Sequence, residues 1–92
     1  MSQASSEEML VVPSLGFVPG MVSVAVWLVR EGASVLAGDR VVQLVAGAAT
    51  IDLVAPITGR LQRQLVDEDD RVEPGDPLAV FAHAGVAKSG TA

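Results

Sequence analysis

Ninety-two residues, half of them hydrophobic, suffice for one small domain with one core. A net charge of −5 with five scattered arginines (Arg30, Arg40, Arg60, Arg63 and Arg71) argues against a surface that reads nucleic-acid phosphates. The chain has no cysteine, which excludes disulfides, thiol nucleophiles and thiolate metal sites, and no apolar run of about 18 residues, which excludes a spanning helix.

Residues 1–8, MSQASSEE, are small, polar and acidic and read as a disordered lead-in. They lack the basic and apolar blocks of a secretory signal, so a cytoplasmic location is expected. The folded body is expected over residues 9–83. It opens with a short strand, Met9 to Val12, closed by Pro13. Val22, Val24 and Val26 alternate with Ser23, Ala25 and Trp27, the period-two pattern of a half-buried strand. Val41 to Val45 and Ile51 to Val54 are two more strands, separated by the small-residue segment Ala46-Gly47-Ala48-Ala49. The segment from Arg60 to Leu65 reads as an edge strand because Gly59 and Pro56 flank it. Leu78 to Ala82 is the last strand, and residues 84–92, AGVAKSGTA, read as a flexible tail or linker. No window sustains an apolar 3.6-residue period, so no substantial helix is expected. Aromatic residues make up only 3% of the chain, so the core must be aliphatic, with Val22, Val24, Val26, Val41, Leu53, Leu61 and Val80 inside and Trp27 at least partly buried.

The chain also repeats itself at an offset of 37 residues. Pro19 falls on Pro56, Leu28 on Leu65, Glu31 on Glu68, Val35 on Val72, and Gly38-Asp39 on Gly75-Asp76. The Gly-Asp pairs suit turns, since Gly accepts positive φ and Asp bonds nearby backbone. Neither half can bury a core alone. The expected fold is therefore all-β, a flattened barrel or sandwich of two small antiparallel sheets related by an internal pseudo-two-fold.

The residues that carry these turns resemble the biotinyl/lipoyl attachment family, and most of all the lipoyl domain of 2-oxoacid dehydrogenase acyltransferase components. Val12-Pro13-Ser14-Leu15-Gly16 resembles that family's first strand and turn. Val26-Trp27-Leu28-Val29-Arg30-Glu31-Gly32 is similar to its second strand, Ala55-Pro56-Ile57-Thr58-Gly59 to the segment after its modified hairpin, and Arg71 to Leu78 to its closing turn and strand. The resemblance implies a hairpin at Val45-Ala46-Gly47-Ala48-Ala49-Thr50-Ile51. There the family holds a lysine whose amine forms an amide with the prosthetic group. Ala49-Thr50 matches the residues after that lysine, but Ala48 stands in its place, Gly47 stands where Asp is usual, and Val45 departs from an acidic residue. No cofactor is therefore expected. The degenerate attachment hairpin is Gly47, Ala48 and Ala49, with Ala48 at the lost lysine position. Lys88, the only lysine, lies in the tail and reads as a solvated charge. An engineered Lys→Ala change and natural loss both account for Ala48, and the further departures at Gly47 and Val45 favour natural loss.

Nothing else in the sequence carries chemistry. His83 is a lone histidine without neighbouring ligands, and Asp67-Glu68-Asp69-Asp70 lacks the spacing of a calcium loop, so no metal site and no catalytic residue is expected. Asp69 stands where the family commonly has Gly, which calls for a left-handed Asp or a looser turn. The expected role is a non-catalytic protein-interaction or scaffold module. Its partners would be proteins such as 2-oxoacid dehydrogenase-type components, without nucleic acid or membrane. The alternative is the N-terminal carrier domain of a dihydrolipoamide acyltransferase with its lysine replaced. The barrel-sandwich module of efflux membrane-fusion proteins is a weaker match, since only a short hairpin separates the two halves here.

Overall fold

The computed structural model describes residues 7–14, 16 and 20–84. The expectations for residues 1–6 and 85–92, for Leu15 and Pro19, and for Lys88 lie outside the described residues. Eight strands form: β1 (Glu7–Val11), β2 (Val22–Trp27), β3 (Ser34–Val35), β4 (Arg40–Ala46), β5 (Ala49–Val54), β6 (Gly59–Gln64), β7 (Arg71–Val72) and β8 (Pro77–His83). All pairings are antiparallel. They make two four-stranded sheets, β5-β4-β2-β7, called here the hairpin sheet, and β1-β8-β6-β3, called the terminal sheet. The described residues form no helix, and none is long and apolar enough to cross a membrane.

The repeat in the sequence is a repeat in space. Adding 37 to the bounds of β2, β3 and β4 gives the bounds of β6, β7 and β8 residue for residue. The bulge between Val24 and Val26 returns between Leu61 and Arg63. The Leu28 N–H donates to the Val41 carbonyl at 2.9 Å, as the Leu65 N–H does to Leu78 at 2.9 Å. The two halves are interlocked, because β3 of the first half pairs with β6 and β7 of the second pairs with β2. Each sheet is thus completed by a strand from the other half, which is why neither half has a sheet of its own. The Gly-Asp turns work as expected. Gly38 and Gly75 take φ of +95° and +90°, and the Asp39 and Asp76 carboxylates accept the Leu36 and Glu73 N–H groups at 2.9 and 2.8 Å.

Val22, Val24, Val41, Leu44, Leu53, Leu61, Leu78 and Phe81 fill the space between the sheets, and Trp27 packs against that core half-buried. Two expected core residues are not in it. Val26 follows the β2 bulge, which reverses the alternation and pairs it with Gln43 on the outer face. Val80 sits between Met9 and Arg63, both exposed, on the outer face of the terminal sheet. The segment from Arg60 is also not an edge strand. β6 lies inside its sheet between β8 and β3, and Pro56 falls in the preceding loop, where it costs no ladder bond. Finally, β1 starts at Glu7, so Glu7 and Glu8 belong to the sheet rather than to the lead-in.

Candidate functional site

The β4–β5 hairpin pairs without interruption from Val42 to its turn. Leu44 pairs with Ile51, Val45 with Thr50 and Ala46 with Ala49, leaving Gly47-Ala48 as a two-residue turn. Two-residue turns must follow the twist of their strands, and that requires positive φ at one or both central positions. Gly47 supplies it with φ +62°, while Ala48 keeps an ordinary negative φ; these are the signs of a type II′ turn. A Cβ on Gly47 would lie 3.3 Å from Cε of Met21, so Met21 rests against the turn. Ala46 is buried and anchors the hairpin, whereas Gly47, Ala48, Ala49 and Thr50 are exposed.

The three hairpin residues singled out by sequence therefore come together at one exposed tip. No charged residue occurs from Val45 to Ile51. The nearest charge along the chain is Asp52, held on the outer face by Gln43 Nε2 at 3.0 Å and Arg40 Nη1 at 3.2 Å. The hydrogen bond from Gln43, then that from Arg40, holds its pKa below the ordinary value of 3.8. An amide-linked prosthetic group needs an amine at the tip. Ala48 offers a methyl group, and no lysine occurs among the described residues. The residues of this hairpin do not fit such a group.

A groove of about 620 Å³ lies where the pseudo-two-fold relates the turns after β2 and β6, roughly 17 Å along β2 from the hairpin tip. Trp27, Leu28, Arg30, Gln64, Asp67 and Glu68 line much of it. The polar groups of Trp27, Gln64 and Glu68 in it are tied into backbone hydrogen bonds. Glu68 Oε2 accepts the Trp27 N–H at 3.0 Å, and its twin Glu31 Oε2 accepts the Gln64 N–H at 2.7 Å. Trp27 Nε1 donates to the Val66 carbonyl at 3.1 Å, and Gln64 Nε2 to the Val29 carbonyl at 3.2 Å. Asp70 accepts the Asp67 N–H at 2.8 Å, and Asp69 takes the left-handed conformation at φ +77° that Gly32 takes in the first half. The acidic turn is accounted for by these bonds, and no group of metal-ligating side chains occurs among the described residues. His83 closes β8, exposed.

Sequence reasoning missed Met21 and the crossed Glu31 and Glu68 bonds. The second was legible: the 37-residue offset places Glu31 on Glu68 and Trp27 on Gln64. Met21 had no signal, because its contact with Gly47 crosses between strands.

The sheet topology, the internal two-fold and the exposed β4–β5 hairpin define a carrier-type barrel-sandwich. The biotin/lipoyl family model, described as "Biotin-requiring enzyme", matches residues 8–81, and the chain belongs to that family. No curated protein matches. Among solved structures, a single-chain, multi-domain long-chain acyl-CoA carboxylase is similar, with TM-score 0.71 and 27% identity over 99% of this chain. This chain spans 9% of the length of that carboxylase chain.

Proposed function

We propose that this chain is a biotinyl/lipoyl-type module that works by docking to protein partners and not by carrying a prosthetic group. The observation that carries this reading is the tip itself. The hairpin keeps its pairing to the last residue, its tight turn and its exposure, yet it presents the Ala48 methyl where an attached arm would need an amine. Loss of folding would have erased the turn as well. A retained turn without its reactive group fits a domain kept for its surface. In this reading the domain itself catalyses nothing, and Gly47, Ala48 and Ala49 form the unloaded tip.

The partners are enzyme components that ordinarily receive such a carrier. The Ala49-Thr50 pair supports a lipoyl-type partner of the 2-oxoacid dehydrogenase kind. The similarity to a carboxylase supports a biotin-type partner instead. Co-expression of the full chain with a biotin ligase and, separately, with a lipoate ligase tests the reading by intact mass. The native chain is expected to gain no mass with either ligase. Ala48→Lys is expected to gain one group with the ligase whose partner class is right. A prosthetic group on the native chain overturns the proposal.

The second reading, a carrier domain of a longer acyltransferase or carboxylase with its lysine replaced, is favoured by the small share of the carboxylase that this chain spans. It requires Ala48→Lys to restore acyl-group or carboxyl transfer in the whole enzyme.

A further inference from the structure

The internal repeat makes each outer face a control for the other. Positions on the outer face of the terminal sheet have counterparts 37 residues earlier on the hairpin sheet. Arg60 corresponds to Ser23, Arg63 to Val26, Val80 to Gln43 and Ala82 to Val45. On the hairpin sheet Asp52 takes both Arg40 and Gln43, and Arg71, beside Ser23 on the edge strand β7, is a single exposed guanidinium. On the terminal sheet two guanidiniums share the face. Arg63, Val80 and Met9 lie in one row across β6, β8 and β1, and Arg60, Ala82 and Glu7 lie in the next. Arg60 and Arg63 are exposed, and neither has a carboxylate partner among the described residues. Beside them runs a strip of Val80 and Ala82, both half-exposed, and Met9, 53% exposed.

Two guanidinium groups without a carboxylate partner among the described residues therefore border an apolar strip, on a chain of net charge −5. The fold does not require them, because Ser23 and Val26 do the same structural work on the other sheet. Arg and Met, both present on this face, are enriched at protein interfaces.

We infer that the outer face of the terminal sheet docks an acidic segment of a partner polypeptide. Carboxylates of the partner pair with Arg60 and Arg63, and an apolar side chain between them covers Val80, Ala82 and Met9. A strand whose acidic and apolar residues alternate at every second position meets this spacing, since residues two apart on a strand share a face about 6.8 Å apart. The docked face belongs to the sheet without the hairpin, so the tip stays free for a second contact. The inference stands whether or not the hairpin carries a group.

The test is an amide NMR titration of the full chain with the capped nonapeptide Ser-Glu-Ser-Leu-Ser-Glu-Ser-Leu-Ser, which sets Glu and Leu in turn on one strand face, beside its Lys/Leu counterpart and inorganic pyrophosphate. The Glu/Leu peptide is expected to shift residues 9, 60, 63, 80 and 82, and to bind at least tenfold more weakly at high salt. The double charge reversal Arg60→Glu with Arg63→Glu is expected to abolish this binding and to create binding of the Lys/Leu peptide. Both sites are exposed, so an unchanged melting temperature certifies the fold. The inference is overturned by no shifts at millimolar peptide or by shifts centred on the groove or hairpin. It is equally overturned by binding that survives the double reversal, or by pyrophosphate reproducing the same shifts at the same concentration.

Discussion

Gly59→Ala probes the glycine that lies tightest against a neighbouring backbone among the described residues. Gly59 is buried, and a Cβ built there would lie 1.8 Å from the Ala82 carbonyl oxygen and 2.9 Å from its carbon. A carbon and a carbonyl oxygen settle no closer than roughly 3.3 Å. The β6–β8 ladder must therefore open by roughly 1.5 Å at this point. Its obstacle is backbone, so no rotamer change relieves the clash. Opening strains the Gly59–His83 pairing and the bond from the Ala84 N–H to the Thr58 carbonyl at 3.0 Å. Two weakened backbone bonds cost about 1 kcal/mol each. Leu61 and Phe81, both fully buried two pairs further in, lose packing worth about 1 kcal/mol more. The expected loss is about 2–4 kcal/mol, a large share of a small domain's stability. At about 4–8 °C per kcal/mol, the melting temperature by far-UV circular dichroism should fall by at least about 8 °C. Gly47→Ala is the control, where the nearest atom is the flexible end of Met21 and only the positive φ opposes the change, about 1 kcal/mol. A Gly59→Ala variant that melts within about 3 °C of the native chain would refute the reasoning.

The same internal comparison predicts other outcomes. Asp69→Gly should leave stability unchanged or raise it by up to about 1 kcal/mol, because Gly32 holds the equivalent φ without strain, whereas Asp69→Val should lower it by about 1–2 kcal/mol; urea midpoints read both. Val24→Ala should cost about 1–3 kcal/mol, while Val80→Ala on the outer face should stay within about 0.5 kcal/mol, and equal effects would reverse the assignment of faces. Asp52 has its pKa depressed in the folded state, so its contribution is present above pH 3.8 and is lost as pH falls through the lower folded value. Native protein should therefore exceed Asp52→Asn in urea midpoint near neutral pH, and the gap should close in strong acid.

The repeat was legible because two kinds of local signal recur at one offset. Gly38-Asp39 and Gly75-Asp76 demand turns, and the valine alternation before each demands a strand. Those features depend on backbone φ and side-chain period, which a single chain segment expresses by itself. The position of the tip was legible for the same reason, since Gly47 between two paired strands permits a two-residue turn. The errors have one physical source. Val26 and Val80 alternate like core residues, but which way an alternating strand faces depends on bulges and on the strands it meets. Gly59 and Pro56 read as edge signals, but β6 became an interior strand because the two-residue β3 of the other half pairs with it.

Composition, turn residues and the absence of any lysine before residue 88 are properties of the chain, and they suffice for the all-β class, the internal two-fold and a tip without an amine. Which side chains share a face was settled by packing in three dimensions. It laid Met21 against Gly47, crossed Glu31 and Glu68 between halves, and set Arg60 and Arg63 beside an uncovered apolar strip. Those contacts join residues from different strands, and strand register, a long-range packing outcome, fixes them.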